Sequence, residues 1–162
     1  MDKKQIITNS IMHTITIIGV DPPCPRCKLL GNVIDAMVKE MKINAEVKHW
    51  VYTDFEAKEF AQSIGLITGT AKNVAIALNE VIDSTRLSAI INNKALAMNT
   101  EFGEFNDCNW SPDLDEFLSP FQLRAKECGI LMTPILIVNG EVKHQGSVPS
   151  LSMINKWLSE LK

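Results

Sequence analysis

Three prolines and two cysteines fall within six consecutive positions, Pro22-Pro23-Cys24-Pro25-Arg26-Cys27, and no central strand can run through them. Proline offers no amide to a sheet, so a strand arriving here must stop. It does suit the first turn of a helix, so a helix can start at Pro25. The flanks agree with both statements. Thr14-Ile15-Thr16-Ile17-Ile18-Gly19-Val20 is rich in β-branched residues and reads as a buried strand. After Pro25, residues Leu29, Leu30, Val33, Ile34, Met37, Val38 and Met41 recur at three and four, the period of an amphipathic helix reaching about Met41.

Further signals extend this beginning. Ala45 to Tyr52, with Val47, Trp50 and Val51, suggests a second strand, and Asp54 caps a short helix through about Ile64. Near the other end, Ser119-Pro120-Phe121-Gln122 has the capping serine, first-turn proline and glutamine of a helix start, with Gly129 closing that helix after Cys128. Pro134 to Val138 is an apolar strand. Asn139-Gly140 is a strong hairpin signal, and Glu141 to Gln145 returns as the partner strand. Gly146 and Pro149 break the sheet, and Ser150 caps a last helix whose apolar face is Leu151, Ile154, Trp157, Leu158 and Leu161. Between about Leu66 and Leu118 the pattern is largely helical: Ala71 to Ile82, Leu87 to Met98, and a short helix opened by Ser111-Pro112-Asp113, with Asn99 to Asn109 as loop.

A chain of 162 residues, 46% hydrophobic and 22% charged, can bury a core as one domain without staples. The net charge of −3 and the lack of a Lys/Arg cluster argue against a nucleic-acid partner. No apolar run is long enough to span a bilayer, so no membrane partner is expected and the cytosol is the default compartment. Lys3, Lys4 and Ile6-Ile7 begin no signal-peptide core, because Thr8-Asn9-Ser10 interrupts it, and a start at Met12 would make residues 1 to 11 a leader.

The four cysteines, Cys24, Cys27, Cys108 and Cys128, are too few and too unevenly spaced for a secreted disulfide framework. In a reducing compartment a C-x-x-C pair is redox-active or metal-binding. At a helix start, unpaired amides and the macrodipole favour thiolate at the first sulfur, Cys24, and Arg26 and Lys28 add positive charge. Cys27, about one turn on, can attack a mixed disulfide formed at Cys24. Two other readings exist. Cys108 and Cys128 nominally complete a zinc set, although structural zinc ligands usually come as two close pairs, and two buried helix cysteines would be inert.

The chain resembles the thioredoxin superfamily, especially its small prokaryotic thioredoxin-like and glutaredoxin-like members. Three separated matches carry this: Ile17-Ile18-Gly19 leading into Cys24-Pro25-Arg26-Cys27, then Gly129-Ile130-Leu131-Met132-Thr133-Pro134, then Val138-Asn139-Gly140-Glu141-Val142 with Gly146-Ser147-Val148-Pro149-Ser150. The resemblance implies an α/β thioredoxin-like fold: a four-stranded mixed sheet flanked by helices, one domain over 1–162 with a mostly helical insertion at 66–120. It further implies that Pro134 is cis and faces the dithiol, and that the backbone of Thr133 pairs with a substrate peptide. Pro25 and Arg26 support the two catalytic cysteines, and neither a cofactor nor a metal is required. Two positions depart from the thioredoxin pattern: Pro23 stands where a Trp usually precedes the first Cys, and Ile18 where a buried Asp usually serves the second.

Two functions follow as expectations. One is a thiol–disulfide oxidoreductase that exchanges electrons with a disulfide-containing client protein and is recharged by an upstream reductase. The other is a non-catalytic binding module holding a metal or client through the dithiol and insertion. In the insertion, Phe102 to Trp110 places aromatic residues and Cys108 in a loop, where Cys108 is a candidate for a transient bridge with Cys24 or an inert packed thiol. Cys128 reads as a packed helix-end residue. His13, His49 and His144 show no ligand spacing, and Asp113, Asp115 and Glu116 read as first-turn helix charges.

Overall fold

The computed structural model describes residues 11–162, so most of the candidate leader lies outside the described residues. In chain order the elements are β1 (His13–Gly19), α1 (Pro25–Glu40), β2 (Ala45–Val51), α2 (Phe55–Ser63) and β3 (Ile67–Gly69). There follow α3 (Ala71–Ala77), α4 (Ser84–Asn92), α5 (Lys94–Ala97) and α6 (Pro112–Arg124), then β4 (Ile130–Met132), β5 (Ile135–Val138), β6 (Glu141–Gln145) and α7 (Leu151–Ser159). Short 3-10 turns at Gly103–Phe105 and Lys126–Cys128 interrupt the connections.

The main sheet has four strands in the order β2-β1-β5-β6. β1 lies parallel to β2, with Ile15 opposite Val47, and antiparallel to β5, with Ile17 opposite Leu136. The sheet is therefore mixed, as a helical crossover followed by a hairpin requires. Alternate residues of a strand face opposite sides, and both sides here are covered. Ile15 and Ile17 with Leu136 and Val138 join the core under α1, α7 and the helices of the middle segment. Ile18, Ile135 and Ile137 pack on the other side with Ala57 and Ala61 of α2. The apolar stripe of α1 lies wholly inside this core: Leu29, Leu30, Val33 and Ile34 are all at 0% exposure. Each such side chain stabilises the fold by about 1.5–3 kcal/mol relative to leaving it in water. The Asn139-Gly140 turn has φ of 49° and 81°, the two positive values that match the twist of a two-residue hairpin.

The middle segment departs from its helical expectation in three ways. A second, two-stranded sheet joins β3 to β4 in parallel, with Thr68 opposite Leu131. Three residues are too few to display a period of two, and the partner lies far along the chain, so β3 has no local signal. The apolar pattern from Ala71 to Ile82 ends early as helix, at Ala77, with Asn79 at a φ of 58°. Similarly, Leu87 to Met98 splits into α4 and α5, capped by the side chains of Asp83 on the Arg86 amide and Asn93 on the Ala95 amide.

A further difference concerns Ser119-Pro120, which does not start a helix. α6 begins at Pro112, capped by Ser111, and continues through Pro120 to Arg124. Proline cannot bond the carbonyl four residues back, and here that carbonyl, of Glu116, accepts a hydrogen bond from the Ser119 hydroxyl at 2.9 Å. Replacing Pro120 with Ala restores the missing amide donor at an exposed site. Pro120→Ala is expected to raise stability by about 1–3 kcal/mol, read as a higher urea midpoint at unchanged slope; an unchanged or lower midpoint would contradict this account of α6.

Candidate active site

Cys24 is the N-cap residue of α1, with extended backbone (φ −73°, ψ 167°), and Pro25 is in the helix's first turn. An N-cap side chain faces the second and third helical amides. Here those amides belong to Arg26 and Cys27, and the Cys24 sulfur lies 3.4 Å from that of Cys27. The Cys24 pKa is lowered to about 6: the Cys27 thiol hydrogen bond acts most, burial opposes it, and the Cys27 amide, the Arg26 charge and the Arg26 amide assist. Cys27, at 6% exposure, shifts upward, because its hydrogen bond to Cys24, its burial and the charge on Cys24 all hold its proton in place. One sulfur is thus poised as thiolate and the other as thiol.

Cys27 lines a hollow with residues of β1, the loop after it and the end of β2, among them Gly19, Asp21 and Trp50. A Cβ at Gly19 would stand 3.0 Å from the Cβ of Cys27 and 3.1 Å from its sulfur, so any side chain there would press Cys27 back by a few tenths of an ångström. Ile18, where the resemblance has an acid, is fully buried on the α2 side. The Asp21–Pro22 and Thr133–Pro134 peptide bonds are both cis. Thr133 is buried and lines, with Cys24, a hollow of about 190 Å³. Its amide already donates to the Gly69 carbonyl at 2.9 Å, through the edge of the β3–β4 pair. A residue has one amide and one carbonyl, so a substrate strand would find only the carbonyl of Thr133.

Arg26, whose charge assists the Cys24 thiolate, is itself buried and paired. It is 5% exposed, its Nε donates to Asp115 Oδ1 at 2.8 Å, and Nη2 donates to the Gly146 carbonyl. Asp115 is therefore more than a first-turn helix charge. Its second oxygen accepts from the Trp110 indole and from the Val148 amide, each at 3.0 Å. Gly146 has a φ of 86°, and a Cβ there would lie 2.6 Å from Gln122 Cγ, so its carbonyl can be presented to Arg26 only without a side chain. Lys28, the other expected cation, is exposed and paired with Asp107 at 3.5 Å.

The loop carrying Cys108 is fastened over this site. Phe102 and Trp110 are buried and meet edge to face at 5.1 Å, and Asn32 of α1 donates to the Phe105 carbonyl and to Asp107. The Cys108 thiol donates to the Pro25 carbonyl at 3.4 Å, and burial pushes its pKa up, which keeps it protonated. Cys128 is partly buried against the main core. Among the described residues no group of three or more His, Cys, Asp or Glu is placed to hold a metal ion, so Cys108 and Cys128 complete no zinc set with the dithiol. His144, whose ring lies 2.7 Å from the Ser147 hydroxyl, is shifted downward by burial.

The family model described as a thioredoxin domain matches residues 115–159. The chain is thioredoxin-like. The matched stretch holds Asp115, the cis proline, the hairpin and α7; the dithiol and the strand before it lie outside the match and rest on their own geometry. None of the curated proteins and none of the solved structures compared with the chain gives a match. Within the described residues no helix is long and apolar enough to cross a membrane.

Asp115, Gly146 and Gly19 are the site residues that sequence reasoning missed. An acidic residue in a helix's first turn is common enough to need no partner, and nothing local pairs Asp115 with an arginine 89 positions earlier. Two measurements test the geometry. The rate of Cys24 alkylation by iodoacetamide should be half-maximal near pH 6 and fall below it as the thiolate is protonated; a midpoint near the usual ~8.5 would contradict the N-cap arrangement. Removing one partner of a buried pair strands the other, so Asp115→Ala should cost about 3–5 kcal/mol in urea unfolding, and the double change Arg26→Met, Asp115→Leu distinctly less.

Proposed function

We propose that the chain is a thiol–disulfide oxidoreductase that exchanges electrons with protein disulfides through Cys24 and Cys27. The observation that carries this reading is the pairing, at 3.4 Å, of a half-buried sulfur with a pKa near 6 and a buried, protonated one. Cys24 thiolate attacks one sulfur of a client disulfide, forming a Cys24–client bond and releasing the other client sulfur as thiolate. That step removes the charge on Cys24 and the hydrogen bond to it, two of the three influences that hold the proton on Cys27. The Cys27 proton passes to solvent or to the released client thiolate. Cys27 then attacks the Cys24 sulfur, closes the internal disulfide and frees the second client thiol. Two electrons have moved to the client, whose two sulfurs take up one proton from Cys27 and one from solvent, and an upstream reductase restores the dithiol. In this reading Thr133, which lines the same hollow as Cys24, and Pro134 after it hold the client, and Pro25 and Arg26 support the motif. A reducing compartment such as the cytosol suits this direction.

The test is a partner trap. In Cys27→Ser the second step is blocked, so a disulfide-linked client adduct should accumulate on Cys24, dissolve on addition of dithiothreitol and be absent from Cys24→Ser. Folded Cys27→Ser that captures no adduct from a disulfide-containing peptide or a cell extract would end the redox reading.

A further inference from the structure

The hollow against Cys24 has one wall from the thioredoxin-like part and another from the helical middle segment. Cys24 and Thr133 form the first; Ile82, Leu87, Ile91 and Leu118 form much of the second. Its volume is about 190 Å³. An apolar cavity of about 150 Å³ is enough to take a benzene-sized group, so this one admits a single leucine- or phenylalanine-sized side chain. It does not end there. A second hollow of about 360 Å³ shares Lys72, Ile82 and Leu87 with it and continues outward to Ile76 and Val81. Val81 is 92% exposed and Ile76 63%, a pair of large apolar side chains left in water at the mouth of a track that leads to the reactive sulfur.

Resting on the redox reading of Cys24 and Cys27, we propose that this track recognises an extended client polypeptide whose disulfide cysteine lies within two residues of a bulky apolar side chain. That side chain fills the inner hollow, and a second apolar residue lies against Ile76 and Val81. Three observations favour such a segment over a small polar disulfide. The walls are mainly aliphatic. Among the described residues, Lys72 is the one free cation lining the track, because Arg26 is already bound to Asp115 and the Gly146 carbonyl, and the one carboxylate of the outer hollow, Glu80, is paired with Arg124 at 3.5 Å. A tripeptide with two carboxylates therefore finds little to hold it. Thr133 meanwhile offers a client strand only half of the usual backbone pairing, since its amide is bound to Gly69, so side-chain contact has to supply the selectivity. Apolar residues beside a disulfide are usually buried in a folded protein, which makes an unfolded or locally opened segment the form that can enter.

The experiment measures second-order rates of reduction by the reduced protein for three probes: the disulfide dimer of a short peptide with Leu on both sides of its cysteine, the same peptide with Ser, and glutathione disulfide. Hydroxyethyl disulfide serves as a neutral reference. The Leu peptide should react at least about tenfold faster than the Ser peptide and glutathione disulfide, the gain that burying one leucine-sized group supplies. Leu87→Gln with Ile91→Gln should bring that ratio to about threefold or less, and Val81→Gln, at an exposed position that cannot unfold the protein, should lower it in part. Equal rates for Leu and Ser peptides with the wild-type protein overturn the apolar track while leaving the redox reading intact. Inertness toward all four disulfides, hydroxyethyl disulfide included, overturns the redox reading itself. A ratio that survives both sets of changes overturns the assignment of these residues.

Discussion

A guanidinium removed from water costs several kcal/mol unless its donors are met, and Arg26, between the two cysteines, is almost wholly removed. Asp115 and the Gly146 carbonyl meet it. Because Asp115 also takes the Trp110 indole and the Val148 amide, one carboxylate joins the start of α1, the loop carrying Cys108, helix α6 and the turn after β6. The start of α1, the stretch from the Cys108 loop into α6, and the turn after β6 are far apart in sequence, and further bonds tie them here, from Cys108 to the Pro25 carbonyl, Asn32 to Asp107 and Gln122 to Ser147. Moving any one leaves a buried polar group unpaired, which is why the pair works as a constraint on geometry more than as a source of net stability.

That constraint also bears on the thiol. A cation beside Cys24 would be expected to dominate its acidity, yet Arg26 contributes less than the Cys27 hydrogen bond and the Cys27 amide. Its charge is shared with Asp115. What the pair does supply is position: with Arg26 held, the first turn of α1 keeps its amides directed at the N-cap sulfur. The low pKa then comes from local dipoles and a neighbouring thiol, which salt screens less than a surface charge.

The parts legible in the sequence are those whose causes are local. β1 and α1 announce themselves through β-branched content, three prolines and a clean period of three and four; the hairpin does so through Asn139-Gly140. The dithiol is legible for the same reason, since a helix start at Pro25 is set by that proline and the apolar spacing from Leu29 onward. Ser119-Pro120 misleads because a local capping pattern competes with a helix already running from Ser111, and tertiary packing of Leu118 and Phe121 decides the outcome. β3, the Arg26–Asp115 pair and the hollow at Cys24 are invisible because each is made by residues that meet only after folding. Leu87 and Ile91 read as an ordinary amphipathic face, and nothing in their spacing says that the face lines a hollow with Cys24.

The hollow and the thiol are also linked energetically. Burial is the largest influence opposing ionisation of Cys24, and the aliphatic wall from the middle segment contributes to it. An apolar side chain entering the hollow, as proposed for a client, would displace more water from the same sulfur and make the thiolate less stable. Nucleophilicity rises with the pKa of a thiolate. In the empty site the amides and Cys27 keep Cys24 ionised at neutral pH; in the occupied one the same thiolate, already formed, meets a disulfide with less solvent to hold it back. If Cys24 acts as proposed, a client that fits the wall would thereby raise the reactivity of the group that attacks it, and selectivity and rate would come from one set of side chains.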